Sequence, residues 1–173
     1  MKRPIIISGE LNSRKTSMLY SLCSLLDSQG SRLGGVIQVA QLPHKPKTSY
    51  TLSDQGTGNC RLLMQEQYKD SFEQVGRFWV DFSTFQWAYE ITMAQIETAD
   101  YITVDEMGPI ELGGRGFDQL VRTLIEHYKG TLILVCRSSL VEQLISYYTF
   151  DKEEIIFLES QKEWESQFKR VLG

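Results

Sequence analysis

Residues 4–16 read Pro4-Ile5-Ile6-Ile7-Ser8-Gly9-Glu10-Leu11-Asn12-Ser13-Arg14-Lys15-Thr16, and apolar residues then recur at Met18, Leu19, Leu22, Cys23, Leu25 and Leu26. The unbroken isoleucine run suits a buried strand over residues 4–8. The later spacing is that of a helix face, and Gly30 ends it as a C-terminal cap would. Between the two, Gly9 to Thr16 carries the frame G-x-x-x-x-[G]-K-[ST], with Arg14 in place of the second glycine. Such a loop turns backbone N–H groups toward phosphate oxygens. Its lysine reaches the β- and γ-phosphates, its hydroxyl binds Mg2+, and a helix N-terminus points at the anion. The candidate phosphate-binding residues are therefore Gly9, Asn12, Ser13, Arg14, Lys15, Thr16 and Ser17, with Lys15 also a candidate catalytic cation and Thr16 a candidate Mg2+ ligand. A polar turn before an ordinary helix start is the alternative reading. Asn tolerates left-handed backbone angles, so Asn12 is easily placed. Arg14 stands where glycine is least strained. It swings outward and leaves the cradle intact, adds a second cation, or spoils the site.

Further along, strand patterns are expected at residues 34–40, 50–53, 60–64, 77–80, 101–105, 131–136 and 154–158. Helices are expected at 84–97, after a Ser83…Gln86 capping box, and at 117–128, after Gly113, Gly114 and Gly116. Two more follow Ser139…Glu142 and Ser160…Glu163. Residues 61–74 read as strand then loop, or as a short helix. Alternating strands and helices imply an α/β fold, a three-layer sandwich with a mostly parallel sheet. A β-hairpin around Asp54 to Asn59 is added to it. One domain over residues 1–173 is expected from the length. In such sheets ligands bind beyond the carboxyl ends of the strands, where two polar loops stand, after Ser8 and after Asp105. Gly34 and Gly35 allow a close backbone approach or a bulge.

The second loop closes the stretch Ala99-Asp100-Tyr101-Ile102-Thr103-Val104-Asp105-Glu106, an apolar strand ending in two acids. In a phosphate-loop enzyme the acid at a strand end holds Mg2+, so Asp105 is the second candidate metal ligand. Glu106 is the candidate base that orients water. Two solvated acids are the alternative. Arg137 follows the strand at 131–136 and is a candidate catalytic arginine stabilising charge on the transferring phosphate, or else a solvated loop arginine. Trp79, Phe85 and Trp87 either stack a base or belong to the core.

Composition narrows the classes. The chain has 173 residues and a formal net charge of −4, with 42% apolar and 23% charged residues. These values argue against disorder and coiled coil, and the acidic balance makes nucleic acid an unexpected partner. No apolar stretch approaches a membrane span and no leader pattern opens the sequence, so a soluble cytoplasmic protein is expected. The basic stretch Lys45-Pro46-Lys47 touches RNA or an acidic partner, or is merely solvated. Cys23, Cys60 and Cys136 form no CxxC pair, and His44 and His127 lie far apart, so structural zinc is not indicated. A Cys–His catalytic pair stays open, although Cys23 and Cys136 fall in apolar runs expected to be buried. Nothing in the sequence specifies a protein partner.

Three stretches are similar to the small P-loop nucleoside-triphosphatases of the cancer-related nucleoside-triphosphatase type. The first is Val104-Asp105-Glu106-Met107-Gly108-Pro109-Ile110-Glu111-Leu112 with Phe117. The second is Val75-Gly76-Arg77-Phe78-Trp79-Val80-Asp81 with Phe85, and the third runs from Tyr50-Thr51-Leu52-Ser53-Asp54 to Gly58. The resemblance implies a RecA-like core and slow Mg2+-dependent hydrolysis of several nucleoside triphosphates, ATP and GTP among them, to diphosphates. It assigns Lys15 and Thr16 to the phosphate loop, Asp105 to the metal and Glu106 to the base. Gly108, Pro109 and Glu111 then shape the site. The family has glycines where this chain has Asn12 and Arg14. Two other functions stay open: a nucleotide-binding or interaction module whose turnover Arg14 has abolished, and a small nucleoside or nucleotide kinase. The second usually needs an Arg-rich lid, and only Arg115 and Arg122 fall between Leu112 and Gly130.

Overall fold

The computed structural model describes residues 2–40 and 48–172; the Lys45-Pro46-Lys47 stretch and His44 lie outside the described residues. Strand β1 is Ile5–Gly9, followed by helix α1, Lys15–Ser28, and β2, Leu33–Ala40. Then come β3, Ser49–Asp54, β4, Cys60–Gln65, β5, Glu73–Val75, and β6, Phe78–Val80. Helix α2, Phe82–Gln95, leads to β7, Tyr101–Met107, a short α3, Pro109–Leu112, and α4, Asp118–His127. The chain closes with β8, Thr131–Arg137, α5, Val141–Tyr148, β9, Ile156–Glu159, and α6, Trp164–Leu172.

The strands form one sheet in the order β5-β6-β4-β3-β2-β7-β8-β1-β9. From β2 to β9 every pairing is parallel. Beyond β2 every pairing is antiparallel. Side chains alternate across each strand, so β1 sends Ile6 to one face and Ile5 and Ile7 to the other. Ile6 joins Val104, Leu134 and the apolar faces of α2, α4 and α5. Ile5 and Ile7 join Ile133, Val135 and the apolar faces of α1 and α6. Burial on both faces is why β1 reads as an unbroken isoleucine run.

The antiparallel addition is larger than the expected hairpin. It contains a second hairpin, β5–β6, turning at Gly76 with φ +60°. β5 is only Glu73, Gln74 and Val75, none of them buried, so it leaves no apolar alternation to read. Three expected caps also move. Asp81, not Ser83, caps α2, its carboxylate accepting from the Ser83 N–H at 3.0 Å. Ser139 lies in a 3-10 turn, Ser138–Leu140, and no side chain caps α5. Glu163, not Ser160, accepts from the Glu165 and Ser166 N–H groups at the start of α6. At α2 and α6 a neighbouring side chain takes the orphan amides instead. Gly35 resolves as a close approach. It has φ +84°, and a Cβ there would meet the Thr103 carbonyl oxygen at 2.2 Å, so β2 and β7 pack together only with glycine.

Candidate functional site

The loop after β1 ends at Arg14, the N-cap position of α1, in left-handed backbone with φ 63°; Asn12 has φ 61°. No side chain caps α1 and its first turn has no acid. The first amides of a 14-residue helix are thus unclaimed by any side chain, as anion binding requires. Lys15 is only 5% exposed. Its ammonium donates to the Glu10 carbonyl at 3.1 Å and lies 3.7 Å from Glu106 Oε1.

The second loop meets the first through one hydrogen bond. Thr16 Oγ1 donates to Asp105 Oδ2 at 3.1 Å, and the Gln38 N–H reaches the same oxygen at 3.2 Å. Asp105 is fully buried and its Oδ1 has no partner. Burial first, then the nearby Glu106 charge, push its carboxyl up to about 7. An orphaned buried carboxylate oxygen beside a hydroxyl is a fitting pair of hard ligands. Mg2+ keeps several waters and binds substrate phosphates, so one or two protein oxygens suffice. Asp105 and Thr16 fit that requirement.

Register shifts between Val104 and Met107, where β7 leaves its pairing with β8. Glu106 sits in that irregularity with φ 62°. A bulge re-aims a side chain, and here Glu106 turns toward Lys15 while its neighbour Asp105 stays buried. Glu111 is 3% exposed. Its two oxygens accept from the Gly108 N–H at 2.8 Å and the Phe117 N–H at 3.2 Å, which ties the loop after β7 to the start of α4. Burial pushes this carboxyl up to about 7, against the opposing pull of those two N–H groups.

A cavity of about 540 Å³ lies here. Asn12, Ser13, Arg14, Lys15, Thr16, Ser17, Glu106 and Arg137 all line it, so the structure gathers these candidates with Asp105 at the carboxyl ends of neighbouring parallel strands. Arg137 ends β8 opposite Gly9 in the register with β1. Arg14 turns outward, its guanidinium 5.3 Å from the centre of the Trp164 ring. Phe85 is core, edge-on to Phe117 at 4.7 Å, and also lines the cavity. Trp79 and Trp87 do not line it: Trp79 packs on Tyr68 and Trp87 under Arg61. Arg77 pairs with Glu66 at 3.3 Å. Cys23 and Cys136 are buried, and burial pushes both thiols up to about 12, the reverse of a nucleophile's tuning.

Gln38, Tyr20, Tyr50 and Phe78 also line the cavity, and sequence reasoning missed them in that role. Gln38, Tyr50 and Phe78 lie in strands and Tyr20 in α1, and each reads as an ordinary strand or helix residue.

A family model described as NTPase matches residues 4–172. The nucleoside-triphosphatase THEP1 of Methanopyrus kandleri is 24% identical over 135 residues, spanning 78% of this chain and 74% of that one. Its counterpart from Methanosarcina barkeri is 25% identical over 140 residues, spanning 80% and 78%. The solution structure of a human cancer-related nucleoside triphosphatase has a TM-score of 0.70 at 16% identity and covers 99% of this chain and 96% of that one. At that identity the likeness concerns the fold.

Proposed function

Since the chain belongs to the NTPase family over residues 4–172, we propose that it hydrolyses nucleoside triphosphates to diphosphate and inorganic phosphate, slowly, with Mg2+ and with little preference among bases. The observation that carries this reading is the 3.1 Å bond from Thr16 to Asp105, which spans 89 residues of sequence and joins the lysine loop to the acid strand. The amides at the start of α1 and the Lys15 ammonium bind the phosphate oxygens. Thr16 and Asp105 would hold Mg2+, which would supply charge neutralisation for the triphosphate. Glu106 orients a water and takes its proton as the water oxygen bonds to the γ-phosphorus and the bridging bond to the β-phosphate breaks. Arg137 stabilises the charge spread over the phosphoryl oxygens.

Turnover is favoured over binding alone by Arg14, whose guanidinium lies on Trp164 rather than among the unclaimed amides of α1. A kinase lid is not favoured. Arg115 is held bidentate by Glu73 at 2.7 Å, and Arg122 is held by Asp118.

The test is phosphate release from the Mg2+ complexes of ATP, GTP, CTP and UTP. Lys15→Ala is expected to lower release by about 100-fold or more, the scale of losing one preorganised electrostatic partner. Arg14→Gly is expected to retain it. Release unaffected by Lys15→Ala would overturn the reading. A silent parent rescued by Arg14→Gly would leave the binding module.

A further inference from the structure

Two residues of the phosphate loop, Asn12 and Arg14, stand in left-handed backbone that favours glycine. Something outside the loop must hold such a conformation, and the segment from the end of β9 to the first residue of α6 reaches it at two points. Ser160 is 1% exposed, and its hydroxyl meets the Ser13 hydroxyl at 2.7 Å. The Ser160 N–H donates to the Ser8 carbonyl at 2.9 Å, so the contact is pinned to the end of β1. Four residues on, the Trp164 indole N–H donates to the Ser160 carbonyl at 3.1 Å, and its ring carries the Arg14 guanidinium. Trp164 in turn leans on Phe168, buried in the core between α1 and α6. Gly9 completes the arrangement. A Cβ there would lie 2.0 Å from Ser160 Oγ and 2.2 Å from Ser13 Oγ, so the paired hydroxyls occupy the space a side chain would take.

We propose that Ser160 and Trp164 are positioning residues for the phosphate loop, bracing from the C-terminal segment a cradle that lacks its second glycine. Ser160 fixes the loop through Ser13, and Trp164 keeps the Arg14 side chain out of the cradle by stacking on its guanidinium. The inference rests on the phosphate-loop reading given above. It predicts a coupling between residues 150 positions apart: Trp164 matters because residue 14 is arginine.

The experiment is a double-mutant cycle with Trp164→Ala, Arg14→Gly and their combination, with Trp164→Phe and Ser160→Ala beside it. Binding of the Mg2+ complex of adenosine 5′-(β,γ-imido)triphosphate is titrated, and kcat and KM are measured with ATP. Hydrogen exchange of residues 9–16 is followed without nucleotide. Trp164→Ala is expected to weaken binding and raise KM about fivefold, the size of an exposed cation–π contact, with kcat within about twofold. Trp164→Phe is expected to restore most of that loss. In the Arg14→Gly background Trp164→Ala is expected to change binding less than about twofold. Trp164→Ala and Ser160→Ala are both expected to speed exchange at Ser13 to Lys15 in the ligand-free protein. An equal loss in both backgrounds, or loop exchange unmoved by Trp164→Ala, would overturn the brace. Failure of the underlying reading looks different: the parent binds no nucleotide, or Lys15→Ala binds as well as the parent, while the exchange data still decide the brace.

Discussion

At the scale of single residues, the candidate site gathers carboxyls buried at a cost. Glu111 is the clearest case because it lies away from the proposed metal ligands. Its carboxyl rises from the ordinary 4.5 to about 7, with burial the leading cause. A carboxyl raised in the folded state binds more protons folded than unfolded. Its contribution to stability is therefore complete below pH 4.5 and is lost as pH climbs through 7. The amount is about 3 kcal/mol, at 1.36 kcal/mol per pH unit. Glu111→Gln removes this titration. The stability of the parent relative to Glu111→Gln, from urea unfolding at pH 5, 6, 7 and 8, is expected to fall by most of that amount, about 2.5 kcal/mol, across the series. A flat or rising difference would contradict it. Gly9 gives a second prediction at this scale. Gly9→Ala drives a methyl into the Ser13–Ser160 hydroxyl pair, so a loss of about 1–3 kcal/mol is expected in the same assay, as for other overpacked sites. Lys15, Thr16, Asp105 and Glu106 were legible in the sequence because their spacing is set by local backbone: a loop between strand and helix, and a strand end. Ser160 and Trp164 were not legible. Their contacts to Ser13 and Arg14 cross about 150 residues and leave no periodic trace.

At the scale of elements, the sequence located strands and helices better than it located their ends. The parallel strands were readable because burial on both faces writes apolar runs, as in β1 and β8. β5 was not, since none of its three residues is buried and they write no apolar run. Helix starts erred where two capping side chains stood close together. At α2 the Asp81 carboxylate takes the Ser83 N–H, and the Ser83 hydroxyl merely donates to that same carboxylate at 2.6 Å. Asp81→Ala is therefore expected to cost about 1 kcal/mol, the usual loss for a cap, and Ser83→Ala clearly less. Thermal melts of the two variants decide it, and equal losses would restore the capping box to Ser83. The bulge in β7 also belongs to this scale. It brings two consecutive acids to the start of α1, with Asp105 buried against Thr16 and Glu106 facing Lys15. A regular strand would send them to opposite faces, which the sequence reading could not distinguish from two acids sharing one site.

At the scale of the whole molecule, the proposed site is a seam across four neighbouring strands drawn from distant parts of the sequence. β1 supplies the loop, β7 the acids, β8 Arg137, and β2 the Gln38 amide. A ligand that engages all four strands stabilises the folded state by mass action, about 2.7 kcal/mol at one hundred times its dissociation constant. For a chain of this length each kcal/mol moves the melting temperature roughly 2–4 °C, so a rise of roughly 5–10 °C is expected with a saturating Mg2+–ATP analogue. Charge decides what happens without the cation. Next to Asp105 the seam holds two carboxyls against the buried ammonium of Lys15, with Arg137 exposed at its rim, in a chain of net charge −4. A bare triphosphate brings further negative charge into the low-dielectric edge beside Asp105, where like charges repel strongly. Chelating the metal with EDTA is thus expected to remove most of the thermal shift rather than a part of it. Asp105→Asn relieves the repulsion as well as weakening the metal site, so this variant is expected to regain some stabilisation by metal-free nucleotide while losing its response to Mg2+. Scanning calorimetry with and without Mg2+ reads both effects in one titration. A full shift in EDTA, in parent and variant alike, would mean that the nucleotide docks elsewhere than the Thr16–Asp105 seam.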